Sequence, residues 1–362
     1  MVRDCPVRAS SAQWCRRLGG GGEARWSLLQ EIESPGTLGY ALKFQADLVE
    51  LREFPMEAVW NAIEERRQAL EHPDADSAST DLKAPEYSVL RDPDNAPPPD
   101  DDFSLSPRSV PKSLGSLLDQ IVLVERLREV KTFVGFTRLD APEWGDTQPP
   151  GMVRLTLDAH PKWVPAAETR GEGIFLHFWE DLLAEWESRV EDHPHVRALW
   201  GAYRHFRKNR GRDSSGWPRL RYWVLHTLSH MLIRQVSLDC GYSSASLTER
   251  IYCGTHEEPA AGILIYTAAP DSEGTLGGLV AQGEPERLER LLQRAFEAAR
   301  WCSSDPLCAE REPADPEEFV NGAACHACLF LSETTCERGN RFLDRSLVVP
   351  VGQDPALAVL SS

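Results

Sequence analysis

Lysine is scarce in this chain: six lysines stand beside 33 arginines. That bias fits a GC-rich coding sequence and carries little functional weight. No run of 18 apolar residues occurs, so no membrane-spanning helix is expected. The first residues, Met1 to Arg8, lack an apolar signal core, which makes the cytoplasm the default compartment. Nucleotide motor motifs are missing as well. No glycine-rich loop ends in Gly-Lys-Ser/Thr and no Asp-Glu-x-His box occurs, which excludes a free-standing ATPase. Net positive charge is also absent. A balance of -17 argues against a protein that coats nucleic acid, and leaves room only for a segregated basic patch.

What is present supports a sizeable core. Apolar residues make up 41% of 362, with eleven tryptophans as large anchors. That length suits two modest domains or one large one with appendages. Residues 1–70 form an N-terminal segment with a loose glycine run and an amphipathic helix over 53–70. Residues 71–115 read as an acidic, proline-rich linker or long exposed loop. Ten acids face two bases between Glu71 and Leu105. Ile121-Val-Leu-Val124 suits a buried strand, and 262–268 a central one. Helices are expected over 174–190, 194–208, 219–238 and 284–300. This alternation predicts an α/β or α+β fold, with a mixed sheet, flanking helices and a C-terminal four-cysteine knuckle. Its parts are an α/β region over 116–220, a cysteine-bearing domain over 221–350 and a tail over 351–362.

Five of nine cysteines fall between 302 and 336, spaced Cys302-x5-Cys308-x16-Cys325-x2-Cys328-x7-Cys336. In a chain expected in the cytoplasm such clustering points to metal ligands or buried thiols more than to disulfides. A Cys-x2-Cys turn offers two thiolates to one ion, and a second pair completes a tetrahedron selective for zinc. Cys302, Cys308, Cys325 and Cys328 are the expected set. Cys336 is the alternate ligand and His326 a weaker substitute. An iron–sulfur cluster and a metal-free set of thiols are the alternatives. A closed four-thiolate site would staple the fold and not catalyse.

The segment from Arg197 to Arg221 holds eight basic residues and one acid, interleaved with Trp200, Tyr203, Phe206 and Trp217. Cations neutralise phosphates and aromatic rings stack on unpaired bases, so Arg204, Arg207, Lys208, Arg210 and Arg212 are candidate DNA contacts. The bland reading is a solvated helix face. His226 and His230 share a helix face, with Asp239 following. They are read mainly as core histidines bonded to backbone or carboxylate, and alternatively as metal ligands of a nuclease or phosphoesterase together with acids at 168–172. No glutamate follows His226, so the zincin pattern is absent. Glu168 to Gly173 reads chiefly as a tight turn before a strand. Gly274-Thr-Leu-Gly-Gly-Leu279 could present backbone amides to a phosphate, but lacks a P-loop ending. Cys240 and Cys253 read as buried thiols.

Several stretches resemble a known family. His226-Thr-Leu-Ser-His230, Gly262 to Tyr266, Gly274 to Leu279, the cysteines, and Cys336 to Arg345 are similar to the MrfA-like zinc-binding (MZB) domain. Glu86-Tyr87, Arg128 to Arg138 and Glu168 to Leu176 resemble DrmB-like components of the DISARM anti-phage system, with a short, divergent beginning. The resemblance covers roughly 85–350. It implies structural zinc, a superfamily 2 helicase as partner, single-stranded or junction DNA nearby, and an accessory role in defence. A metal-dependent enzyme and a scaffold without DNA contact are the competing readings.

Overall fold

The computed structural model describes residues 2–5, 28–32, 34–53, 55–71, 83–137, 152–156, 163–214, 216–267, 278–310, 320–351 and 354–360. Its centre is a six-stranded sheet in which every described pairing is antiparallel. The order is β1 (Val2–Cys5), β3 (Leu118–Phe133), β6 (Ala166–Phe178), β8 (Pro259–Thr267) and β7 (Leu247–Gly254). Strand β2 (Phe103–Arg108) pairs with β3 beside β1. Two short strands, β4 (Gly135–Phe136) and β5 (Val153–Arg154), pair separately. Antiparallel pairing selects α+β from the two classes the sequence allowed.

Both faces of this sheet are covered, and the side-chain alternation of strands decides what goes where. Ile121, Leu123, Ile174, Leu176, Ile263 and Ile265 face the larger core. Val122, Val124, Phe175, Leu264 and Tyr266 face a second core. That is why 121–124 is apolar without alternation. The larger core is roofed by α4 (Glu180–Val190), α5 (Pro194–Asn209), α6 (Leu220–Cys240) and α8 (Pro285–Ala299), with short α7 (Gly278–Gln282) beside them. Helix α6 is buried on nearly every side, as a helix apolar all round must be. It stops at Gly241, whose φ of 73° is the left-handed conformation that glycine accepts freely. Helices α1 (Pro35–Phe44) and α2 (Met56–Glu71) share a small apolar cluster of their own.

Three expectations are corrected. The stretch read as a linker over 71–115 contains α3 (Lys83–Arg91) and β2. Its acidic composition hid Tyr87, Leu90 and Phe103, which close the second core. The helix expected from 174 starts only at Glu180, because 174–178 continues β6 with both its faces buried. Glu168–Gly173 is mid-strand and not a turn. Glycine is required at 171 because a Cβ there would meet the Thr267 carbonyl of the neighbouring strand. Most of the glycine-rich loop, 274–277, lies outside the described residues.

Candidate metal centres and basic segment

The first centre is assembled where α8 ends. Cys302 follows that helix, Cys308 sits in a 3-10 turn (Pro306–Glu310), and Cys325 and Cys328 flank a tight turn. In that turn Cys328 N donates to the Cys325 carbonyl at 3.2 Å, and Cys325 N to Cys328 Sγ at 3.3 Å. Sulfur separations are 3.5 Å for Cys302–Cys325, 3.7 Å for Cys308–Cys328 and 3.6 Å for Cys325–Cys328. A tetrahedral zinc with bonds of about 2.3 Å needs sulfur edges of about 3.8 Å. The donor set therefore fits zinc with only small outward movement. The Cys308 thiol is pulled down to about 5, first by the Cys328 thiol and then by the Arg345 guanidinium, against the opposing effect of burial. A buried cation beside four thiolates also offsets the excess negative charge of a zinc tetrathiolate. His326 is exposed and rests against Phe330, away from the cluster.

Cys336 takes no part in that centre. It meets His226, His230 and Glu249 in a second group, all four buried, with donor atoms within 4.8 Å of one another. His226 Nε2 lies 3.1 Å from Cys336 Sγ and 2.9 Å from Glu249 Oε1. His230 Nε2 lies 3.4 Å from Glu249 Oε1, while its Nδ1 bonds to the Leu329 carbonyl at 2.9 Å. Sequence reasoning missed Glu249. Its signal was an acid in register with Leu247 and Ile251 on the inward face of β7. Asp239, expected beside the histidines, is instead paired with Arg294 at 3.1 Å and with Gln235 at 3.0 Å. Of the 168–172 acids, Glu168 pairs with Arg128. Glu172 Oε1 accepts from Leu279 N at 2.6 Å, at the start of α7. Neither reaches the histidines. Cys240 and Cys253 are free, half-buried thiols.

The basic segment divides in two. On α5, aromatic positions spaced three apart face the core. Tyr203 and Phe206 are buried, and Tyr203 packs on Trp200, Trp217 and Phe342 with centroids 5.1–6.0 Å apart. These rings serve packing, which corrects the expectation that they stand ready to stack on bases. Arg207 is buried too, donating to the Asp213 carbonyl at 2.7 Å. Arg204, Lys208 and Arg210 are exposed, Arg210 lying over the Phe206 ring, and Arg212 is half-buried. Trp217, Tyr87 and Tyr222 line a nearby cleft of about 510 Å³ with Lys83, Arg219 and Arg338. Lys83 and Arg219 are already paired there, with Glu337 and Glu187 respectively.

Asp344 ties these parts together. Its carboxylate accepts from Ala323 N, Ser346 N and His195 Nε2, and its backbone N donates to Thr227 Oγ1. Gly322 is obligatory because a Cβ would strike that carboxylate. Burial opposes both charges, yet the His195–Asp344 bond raises the histidine and lowers the acid. A raised histidine stabilises below its ordinary value and a lowered acid above its own. The pair's contribution is therefore complete between pH about 4 and about 6.5, and fades as pH rises through the shifted His195 value. Thermal melts from pH 5 to 9 should show a decline that His195→Gln flattens. An equal slope in both proteins would remove this pair as its cause.

Comparison with known proteins places the class first. Residues 228–329 match the family described as the MrfA Zn-binding domain (MZB), and the four clustered cysteines lie within that match. The chain is also 40% identical over 249 residues to the DISARM protein DrmB of Bacillus paralicheniformis. That match covers 68% of this chain and 44% of DrmB, so the chain spans under half the length of that relative. A crystal structure of the helicase MrfA bound to DNA aligns with a TM-score of 0.30 and 10% identity, over 65% of this chain and 24% of that one. No helix among the described residues is long and apolar enough to cross a membrane.

Proposed function

We propose that this chain is a non-catalytic accessory protein of a superfamily 2 helicase in bacterial anti-phage defence, acting in the cytoplasm. The 40% identity to DrmB carries the reading. Its four-cysteine centre holds a structural zinc, because four protein thiolates close the tetrahedron and leave no position for substrate. Contact with single-stranded or junction DNA is assigned to Arg204, Lys208 and Arg210, supported by their exposure in an acidic chain. Arg212 flanks them, and Arg207 supports the helix from beneath. A nuclease built on His226, His230 and Asp239 is disfavoured. Both histidines are fully buried and Asp239 is engaged by Arg294.

Co-expression with a superfamily 2 helicase of the same organism, followed by affinity capture, tests the partnership. Stable co-elution is expected, and independent elution at all salt concentrations would overturn it. For the DNA contact, Ala at 204, 208 and 210 together should weaken oligonucleotide binding. It should also reduce the slope of log affinity against log salt by about 2, at about 0.7 per single-strand phosphate contact. Arg207→Ala should lower thermal stability and leave that slope nearly intact. An unchanged slope in the triple variant would favour the scaffold reading without DNA.

A further inference from the structure

Cys336, the thiol left over from the cysteine cluster, sits with three other potential ligands from α6 and β7. We propose that His226, His230, Glu249 and Cys336 form a second metal site, closed and structural, that takes zinc.

The geometry suits an ion. Tetrahedral zinc with bonds of about 2.0–2.1 Å to nitrogen and oxygen and about 2.3 Å to one sulfur has ligand edges of about 3.3–3.6 Å. The observed contacts of 2.9, 3.1 and 3.4 Å lie at or just inside those edges. Small side-chain movements admit the ion.

Three buried polar atoms of the group have no hydrogen-bond partner: His226 Nδ1, the ring nitrogen not turned to Cys336 and Glu249, and then His230 Nε2 and Glu249 Oε2. The latter two belong to side chains that are nine-tenths buried or more. A buried polar atom without a partner carries its desolvation penalty uncompensated, so orphaned polar atoms at one spot call for a partner. A metal ion satisfies His230 Nε2 and Glu249 Oε2 at once.

The outer contacts also prepare the ligands. His230 Nδ1 donates to the Leu329 carbonyl, which fixes the proton there and leaves the Nε2 lone pair facing the group. Cys336 Sγ accepts from the N–H groups of Asn340 at 3.2 Å and Arg338 at 3.4 Å, the arrangement that supports a thiolate. Two neutral imidazoles, a carboxylate and a thiolate sum to two negative charges, which a dication neutralises in a fully buried group. Mixed nitrogen, oxygen and sulfur donors favour zinc over hard cations.

Such a site has a definite mechanical effect. It joins the middle of α6 to the inward face of β7 and to the loop after the cysteine knuckle. Leu329, which orients His230, directly follows Cys328. The two centres therefore hold the segment from 325 to 336 at both ends.

X-ray absorption and metal analysis of the intact wild-type protein, purified without chelator, decide the matter without any variant. Two zinc ions per chain are expected, with an average of about 2.5 sulfur and about 1.5 nitrogen or oxygen donors per zinc. His230→Gln should drop the count to one zinc with nearly all-sulfur coordination. Cys328→Ser should preserve a zinc bound mainly by nitrogen and oxygen. One zinc per chain with four sulfurs in the wild type would overturn the proposal and leave a hydrogen-bonded cluster without metal.

Discussion

Cys328→Ser is expected to strip the four-cysteine centre of its zinc and loosen the segment that carries Cys302, Cys308, Cys325 and Cys328. The four sulfurs lie 3.5–3.7 Å apart in three pairs, and the segment that carries them has little regular secondary structure. Between Pro306 and Arg345 its described backbone runs as turns and short 3-10 segments, without a long helix or strand. Structural zinc contributes roughly 10–16 kcal/mol of apparent binding energy in small sites, as much as the whole stability of a typical domain. Loss of the ion would leave the closely packed Cys308 and Cys328 thiols without the charge that holds four sulfurs together. Zinc content, limited proteolysis and the thermal midpoint measure this together. A wild-type melting curve and protease pattern in the variant that has lost this zinc would refute the staple. Because α8 and the sheet lie upstream, the sheet core is expected to retain its strand signal in circular dichroism.

The second large effect lies in the segment that looked like a linker. Glu86 and Arg250 are fully buried and bonded through two contacts, one of them 2.8 Å long. Burial pushes the Glu86 carboxyl up, and Arg250 beside it pulls it down only in part. Tyr252 OH adds a third bond to the same carboxylate. Glu86→Ala leaves a guanidinium buried without its partner, at a cost of about 3–5 kcal/mol. Arg250→Ala should cost a similar amount. The double change Glu86→Leu with Arg250→Met should recover most of that loss, since an apolar pair of similar volume avoids desolvating two charges. Urea unfolding of the three proteins supplies the measurement. Single variants within about 0.5 kcal/mol of wild type would show that α3 is not anchored by this pair.

Some of this was legible in the chain. Helix α5 came out within one residue of its expected span, 194–208 against Pro194–Asn209, because Pro194 marks its start and apolar residues recur at helical spacing. The cysteine grouping was legible because thiolate ligands come in short, repeated spacings. Legibility failed wherever composition stood in for geometry. The acids of 71–115 concealed three apolar side chains that complete a sheet face. The aromatic residues between Arg197 and Arg221 suggested base stacking, yet their periodicity is that of a core face. Glu249 showed only its inward register on β7, and no local pattern links a strand acid to two helix histidines.

The sequence by itself determined the strand and helix alternation, the buried run at 121–124, the four-thiol grouping and the kinship with MZB and DrmB proteins. These are local or periodic properties, written in neighbouring residues. Only the tertiary structure decided that Arg207 turns inward, that Asp239 leaves the histidines for Arg294, and that Cys336 leaves the cysteines for His226, His230 and Glu249. Those outcomes depend on which buried charge finds which partner across elements far apart in the chain. Desolvation makes each such choice costly to get wrong, and no spacing rule records it.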